Sequence, residues 1–387
     1  MSAPSDETFP EIRQSVRRLC TRFPGEYWRA LDRGRAYPTE FVRTLTQEGF
    51  LSVLIPEAFG GAGLGLGAGL AVLEEIHRSG CNGGACHAQM YTMGTLLRHG
   101  SDAQKQAYLP KIARGELRLQ AFGVTEPSSG TDTTRIRTFA KRVGDKYIVN
   151  GQKIWISRVE HSDLMVLLVR TAAREESAKP SDGMTVLLVD LREAVGHGLT
   201  VRPIRTMINH ATTELFFDDL EVPVANRIGE EGKGFRYILD GMNAERILIA
   251  GECLGDGRFF IDRASAYARD RSVFGRPIGE NQGVQFPIAR AYVQVAAAAQ
   301  MVEKAAALFD IGKPCGTEAN MAKLLASEAA WFAADMCVQT HGGFGFAEEF
   351  DIERKFRETR LYQVAPISTN LILSHVATHV LDLPKSF

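Results

Sequence analysis

The hydrophobic and polar positions of the chain change period twice. Up to about residue 120 the apolar residues recur at helical spacing. A helix start at Pro38-Thr39-Glu40-Phe41 is followed by Phe41, Leu45 and Phe50, and Leu70, Leu73 and Ile76 carry a second stripe. After a break, Tyr91, Leu96 and Leu97 resume it. From Ala121 the period shortens. Thr138 to Val149 alternates around Gly144-Asp145, which predicts a hairpin. The apolar runs Asp163–Val169 and Met184–Val189 have the length of buried strands, and Thr200–Ile204 and Thr213–Phe217 add two more. Between the two runs, Ala172 to Gly183 is charged and rich in Ser, Pro and Gly, so it predicts a mobile surface loop. From Gly234 the helical period returns. Ala291–Phe309 and Glu318–Cys337 are rich in alanine, a strong helix former that lets helices approach closely. The pattern predicts an α+β protein: an N-terminal helical domain over 1–120, a middle β domain over 121–232 and a C-terminal helical bundle over 233–387.

A chain of 387 residues is long enough for two or three layers around a large core. Its 45 Lys and Arg nearly balance 46 Asp and Glu, which argues against a nucleic-acid-coating protein. The six cysteines form no C-x-x-C pair, and Cys81, Cys86 and His87 lack a metal-site spacing, so no metal is expected. The start, Met1-Ser-Ala-Pro-Ser-Asp-Glu7, is polar and acidic, unlike a signal peptide. No apolar run reaches the length of a membrane span, and Lys385-Ser-Phe387 is not a peroxisomal address. A soluble, cytoplasmic protein with reduced thiols is the expectation. The glycines of 60–69 follow no strand and fit no dinucleotide fingerprint.

Two stretches carry candidate chemistry. In Phe122-Gly-Val-Thr-Glu-Pro-Ser-Ser-Gly-Thr-Asp132, proline disfavours helix in the residue before it, and Ser128 to Thr131 then offer hydroxyls and backbone N–H groups in a turn. Such a turn suits phosphate or amide oxygens. In Asn150-Gly-Gln-Lys-Ile-Trp-Ile-Ser157, Asn150-Gly151 is a tight-turn dipeptide. The strand after it puts Trp155 and Ser157 at alternate positions, which predicts both on one face. Either stretch alone reads equally as a surface loop and a hairpin with a core tryptophan.

Together the two stretches resemble the acyl-CoA dehydrogenase family, whose hallmarks include T-E-P-x-x-G-S-D and K-x-W-I-[ST]-N. Further matches follow in the family's order. They are Pro56-Glu57 with Gly60, Gly61 and Gly63; Arg271-Ser-Val-Phe274-Gly275 with Gln282; Gln339-Thr-His-Gly342-Gly343-Phe-Gly345-Phe346; and Arg357-Glu-Thr-Arg360. The resemblance covers nearly the whole chain. It implies a helical, then β, then four-helix-bundle architecture, an FAD cofactor, an acyl-CoA substrate and electron-transfer flavoprotein as acceptor. It also implies a homo-oligomer, usually a dimer of dimers, with no nucleic-acid or membrane partner.

The reaction implied removes a proton from the carbon beside the thioester carbonyl and passes a hydride from the next carbon to flavin N5. Most of the family carries the base in a Y-E-G-T segment after the R-D-x-[RK] turn, but here the glutamate position is Pro366. Proline is no base and has no N–H for the thioester oxygen. Isovaleryl-CoA and long-chain dehydrogenases place the base in a helical E-R dipeptide, which matches Glu245-Arg246. A helix over 234–250 puts Glu245 on a stripe with Gly241, Met242, Leu248 and Ile249, where desolvation raises a carboxyl pKa. The alternative is a helix glutamate paired with a neighbouring basic residue.

For the cofactor the resemblance implies Phe122, Val124 and Thr125 along the isoalloxazine and Gly130 and Thr131 at the pyrophosphate. It implies Trp155 and Ser157 against the ring, and Ser368 and Asn370 from the C-terminal loop. Arg271, Phe274, Gln282, Gln339, Gly342 and Gly343 would reach the flavin nucleotide of a neighbouring subunit. Thr131, Asn243, Arg246 and the small Ala365 would meet the acyl-CoA. Arg158 stands where the family often has asparagine. Two competing functions share the fold: a flavin monooxygenase or oxidase on a non-CoA substrate, suggested by the missing glutamate, and a non-catalytic assembly or DNA-binding relative.

Overall fold

The computed structural model describes residues 8–385. The polar opening Met1–Glu7 and the end of the Lys385-Ser-Phe387 tail lie outside them. In chain order the first helices are α1 (Pro10–Cys20), α2 (Gly25–Gly34), α3 (Thr39–Gln47), α4 (Leu66–Arg78), α5 (Gly84–His99) and α6 (Asp102–Ala113). The strands follow: β1 (Leu119–Gly123), β2 (Phe139–Val143), β3 (Lys146–Ser157), β4 (Leu164–Arg170) and β5 (Met184–Asp190). After a short α7 (Leu191–Ala194) come β6 (Leu199–Pro203), β7 (Thr212–Pro223) and β8 (Arg227–Ile228). The long α8 (Gly234–Asp270) precedes a small ribbon of β9 (Ser272–Val273) and β10 (Arg276–Pro277). The chain closes with α9 (Gln282–Asp310), α10 (Gly316–His341), α11 (Ile352–Arg360) and α12 (Thr369–His379). Among the described residues no helix is long and apolar enough to cross a membrane.

Two compact units divide these elements. One comprises Arg35–Leu64 and Gly84–Met242 and holds the sheet. The strand order is β6-β7-β3-β2-β4-β5-β8, with β1 added beside β4. β1 runs parallel to β4, while β4 and β5 are antiparallel, so the sheet is mixed. The apolar run in β4 is continuous because both its faces are covered. Leu164, Val166 and Leu168 face a core shared with Met93, Leu96, Leu109 and Ile112 of α5 and α6. Met165, Leu167 and Val169 face a second core with Tyr147, Leu215 and Phe217.

Asn150-Gly151 corrects a sequence expectation. The dipeptide is no turn but lies inside β3. Between the pairs Val149↔Leu220 and Gly151↔Phe217, Asp218 and Asp219 of β7 oppose Asn150 alone, which makes a β-bulge. Asn150 fills the bulge with its side chain: Nδ2 donates to Asp219 Oδ1 at 2.8 Å, and Asp219 N donates to Asn150 Oδ1 at 3.0 Å. A Cβ at Gly151 would lie 2.6 Å from Thr138 Cα, so glycine is required by close approach as well as by its φ of +144°. A second bulge makes Trp155 the extra residue of β3, between Ile154↔Glu214 and Ile156↔Thr213. Its φ is 63°, and the regular alternation toward Ser157 is broken there.

The other unit comprises the described residues of Met1–Gly34 with Gly65–Gly83 and Asn243–Phe387. Its α9 and α10 bury alanine stripes, Ala291, Ala298, Ala305 and Ala306 on one and Ala319, Ala322, Ala326, Ala330 and Ala333 on the other. This unit also encloses charge. Lys355 Nζ lies 2.5 Å from Asp256 Oδ1 and 3.2 Å from Glu358 Oε2. Asp256 further receives Thr359 Oγ1 at 2.6 Å and faces His77 Nδ1 at 2.9 Å. Burial alone would raise the Asp256 pKa, yet Lys355 and His77 together hold it down at about 2.

Candidate active site

In the sheet-bearing unit, β1 leads into the Phe122–Asp132 stretch, and its two ends are pinned differently. Glu126 is buried and its carboxylate accepts Arg137 N at 2.6 Å, Thr138 N at 2.9 Å and Lys153 Nζ at 2.9 Å. Lys153, fully buried on β3, also donates to Val124 O at 3.0 Å. Ile154 N donates to Thr125 O at 2.9 Å. Burial pushes the Lys153 ammonium down to about 8, with Glu126 opposing the fall. Burial also pushes the Glu126 carboxyl up, but Lys153 and the donors from Thr138 and Arg137 outweigh it and leave the pKa lowered. At neutral pH the pair is therefore ionised, and removing either partner strands the other's charge in the interior.

Sequence reasoning missed this ion pair, although both residues sit inside the two stretches singled out for their chemistry. An acid and a base in two segments joined by one hairpin were the available signal. Beyond the clamp, Glu126 and Ser129 close a turn through Ser129 N to Glu126 O at 3.0 Å and the reverse bond at 3.3 Å. Ser129 Oγ donates to Asp132 O at 2.6 Å. Ser128, Gly130 and Thr131 are left exposed, and a Cβ at Gly130 would meet nothing within 4 Å. Phe122 and Thr125 are half-buried and Val124 is buried. The turn thus leaves the Ser128 and Thr131 side chains and the Gly130 backbone open at the surface.

The bulge turns Trp155 outward, 57 % exposed, while Ser157 is half-buried and pairs with Thr212. Arg158 follows in a left-handed conformation, φ 61°, and is buried. Its N donates to Ala211 O at 2.8 Å, and its Nη2 lies 3.1 Å from His210 Nδ1. A guanidinium only donates, so His210 Nδ1 accepts and the ring is neutral. Burial first, then Arg158 and His87, hold the His210 pKa well below its usual value.

The other unit carries the remaining candidates. Arg271, Gln339, Gly342 and Gly343 line one groove of about 660 Å³ with Tyr267 and His341. His341 stacks on Tyr267 at 4.1 Å between centroids, and its Nδ1 donates to Cys337 O at 2.8 Å. A Cβ added at Gly342, whose φ is 59°, or at Gly343 would meet nothing within 4 Å, so their backbone is open to the groove. The Arg271 guanidinium lies 5.9 Å from the Phe344 ring centre. Phe274 and Gln282 do not line the groove. Phe274 projects from the turn between β9 and β10 with its side chain wholly exposed, and Gln282 is the first residue of α9. Ser368 caps α12 by accepting Leu371 N at 3.4 Å, and Asn370 is exposed. Lys323 Nζ donates to Ile367 O at 2.8 Å and so holds the loop containing Ala365 and Pro366.

Glu245 lies on α8 and is buried. Burial raises its pKa from 4.5 to about 8, Arg246 opposes the rise and Glu252 adds to it. Arg246 does not bond it: Nη1 donates to Asn243 Oδ1 at 2.9 Å. Of the neighbouring basic residues in the alternative reading, the adjacent Arg246 bonds Asn243 instead. A buried carboxyl that titrates near 8 is suited to take up a proton.

The chain matches the models of the acyl-CoA dehydrogenase N-terminal domain over residues 6–116, middle domain over 121–220 and C-terminal domain over 232–381. It is 33 % identical over 379 residues to the acyl-CoA dehydrogenase fadE12 of Mycobacterium bovis, covering 97 % of this chain and 96 % of that one. It is 33 % identical over 380 residues to cyclohex-1-ene-1-carbonyl-CoA dehydrogenase of Syntrophus aciditrophicus, covering 97 % and 90 %. Among solved structures, a glutaryl-coenzyme A dehydrogenase in complex with glutaryl-CoA superimposes with a TM-score of 0.91 at 29 % identity, covering 100 % of this chain and 98 % of that one.

Proposed function

The chain belongs to the acyl-CoA dehydrogenase family, whose members carry out FAD-dependent dehydrogenation of acyl-CoA, and from that premise we propose how its own residues divide the work. The substrate is an acyl-CoA thioester that gains an α,β double bond, and the electrons leave to an electron-transfer flavoprotein. Glu245 removes the α-proton. The observation that carries this is its buried carboxyl on α8, held near 8 by desolvation and left unbonded by Arg246.

The residues present fit a flavin nucleotide. The exposed turn of Ser128, Gly130 and Thr131 suits a diphosphate, and the clamp of Glu126 on Lys153 keeps Phe122 to Thr125 in line with Trp155 and Ser157. FAD, when bound, supplies the acceptor for the β-hydrogen. Arg271, Gln339, Gly342 and Gly343 offer a cation and open backbone donors to the nucleotide half of a neighbouring subunit's cofactor. Large apolar side chains support an oligomer: Phe274 is fully exposed, and Phe286, Tyr292 and Val293 on α9 are 59 %, 64 % and 63 % exposed. Asn243 orients Arg246, and both stand next to Glu245 in the substrate reading.

The test is anaerobic addition of a panel of acyl-CoAs to the FAD-loaded protein while the flavin absorbance is followed. Bleaching by at least one acyl-CoA supports the assignment. No bleaching by any of them, with bleaching by a non-CoA substrate instead, favours an oxidase or monooxygenase.

A further inference from the structure

The groove that carries Arg271, Gln339, Gly342 and Gly343 has one wall with little stiffness of its own. After α10 ends, the chain runs through two short helical turns, Gly342–Phe346 and Glu348–Phe350. It then reaches Asp351 in a left-handed conformation, φ 62°. Ala347 and Glu349 of this stretch line the groove. The segment belongs to no strand or long helix, and the rings of Phe344 and Phe350, 5.3 Å apart, are its main internal contact.

The support comes from behind. Glu348 and Asp351 turn to α2, within the same compact unit. Arg29 Nη1 donates to Asp351 Oδ2 at 2.9 Å and to Glu349 O at 3.5 Å, and Arg33 Nη1 donates to Glu348 Oε2 at 2.8 Å. Asp32 Oδ2 accepts Arg357 Nη2 of α11 at 2.7 Å. Residues three and four apart share a helix face, so positions 29, 32 and 33 form one edge of α2 against the wall and α11. The start of α2 fits the same approach. A Cβ at Gly25, its first residue, would lie 2.1 Å from Asp351 Oδ2, so glycine leaves room for the carboxylate.

The two ion pairs differ in weight. The Arg33 and Glu348 side chains are 61 % and 55 % exposed, and a pair so solvated contributes little. Those of Arg29 and Asp351 are 13 % and 9 % exposed, so water and salt screen them much less. Arg354 approaches Asp351 only to 3.7 Å, and its Nη1 donates to Glu358 Oε1 at 2.9 Å. Arg29 is therefore the near cation of Asp351.

We propose that Arg29, acting through Asp351, is a positioning residue of the cofactor groove. It fixes the Ala347–Asp351 wall before a nucleotide arrives, so binding does not have to order that wall. Arg29 itself does not line the groove. The inference rests on the reading that this groove takes the nucleotide half of a neighbouring subunit's FAD, and it adds a residue on α2 to that site.

Arg29→Gln combined with Asp351→Asn removes both charges and strands neither, and asparagine tolerates the left-handed conformation. The full-length chain is studied in two ways: hydrogen exchange over 342–351 in the cofactor-free protein, read by mass spectrometry, and FAD affinity by fluorescence titration. The double variant should exchange faster over 342–351 with α9 unchanged, and should bind FAD about tenfold more weakly. Saturating FAD should restore flavin reduction by an acyl-CoA, because the defect lies in holding the cofactor. Arg29→Lys, which keeps the charge, should stay within about threefold of wild-type affinity, as should Arg33→Met. Wild-type exchange or wild-type FAD affinity in the double variant overturns the proposal. So does a double variant that fails to fold, or one whose flavin reduction stays low at saturating FAD, since Arg29 would then serve the structure at large. Arg271→Ala, titrated in parallel, separates the two levels. If it weakens FAD binding and the double variant does not, the groove reading stands and the positioning role falls. If neither weakens it, the groove does not hold the cofactor and both fall.

Discussion

Replacing Glu245 by glutamine keeps size and hydrogen-bonding shape but removes the titration, and the structure sets the size of the effect. Burial moves the carboxyl from 4.5 to about 8. Each decade of proton concentration across that gap is worth about 1.4 kcal/mol, so the full effect is on the order of 5 kcal/mol. The sign follows from the raised value. The folded protein holds this proton more tightly than the unfolded chain does. Its stabilisation is complete below pH 4.5 and is lost as pH rises through about 8. Wild type and Glu245→Gln should therefore have similar stability near pH 5 and diverge upward, the variant becoming the more stable by several kcal/mol near pH 9. Thermal or denaturant unfolding of both proteins without FAD, between pH 5 and 9, measures the divergence with other titrating groups cancelled. The same variant, loaded with FAD, should lose about a hundredfold or more in flavin reduction by acyl-CoA. Wild-type activity should climb with pH toward 8, as the base ionises. Parallel stability curves for the two proteins would refute the burial argument, and near wild-type reduction by the variant would refute the role as base.

Lys153→Met should destabilise the protein by about 3–5 kcal/mol, because Glu126 would keep a buried charge without its partner; FAD occupancy after dialysis should fall with it, and an unchanged melting temperature would contradict the clamp. Lys355→Met should carry a similar penalty of about 3–5 kcal/mol through Asp256, measured by denaturant unfolding. Asp256, held at about 2 by its partners, contributes stability that is present above the usual carboxylate range and lost as pH falls toward 2; Asp256→Asn should flatten the acid limb of the unfolding curve. Arg271→Ala should weaken FAD binding in the oligomer tenfold or more with little change in the unfolding of the cofactor-free chain, read by fluorescence titration.

The periodicity of the chain determined much of the architecture, because side-chain burial repeats every two residues in a strand and every 3.6 in a helix. The hairpin at Gly144-Asp145 stands where the alternation put it, and the strands beginning near Leu164 and Met184 stand where the continuous apolar runs put them. The helix carrying Glu245 and the alanine-rich α9 and α10 also follow the predicted pattern. Residue chemistry also pointed to the turn at Ser128–Thr131, where all but Ser129 are exposed, and to a desolvated Glu245.

The sequence misled where a partner strand overrode local preference. Asn150-Gly151 has turn chemistry, yet two aspartates across the ladder convert it into a bulge, and another bulge sends Trp155 outward. Other facts need residues far apart in sequence to meet. Lys153 and Glu126 are 27 residues apart, and His77 and Asp256 are 179 apart. Whether a buried threonine bonds its own helix, as Thr46 does, or has no partner for its hydroxyl among the described residues, as with Thr92 and Thr95, is decided by side-chain torsions set by packing. Propensity and period act over a few residues and are written in the chain. Charge pairing, desolvation and the fate of a buried donor depend on what the fold brings against each group, and only the tertiary structure decided them.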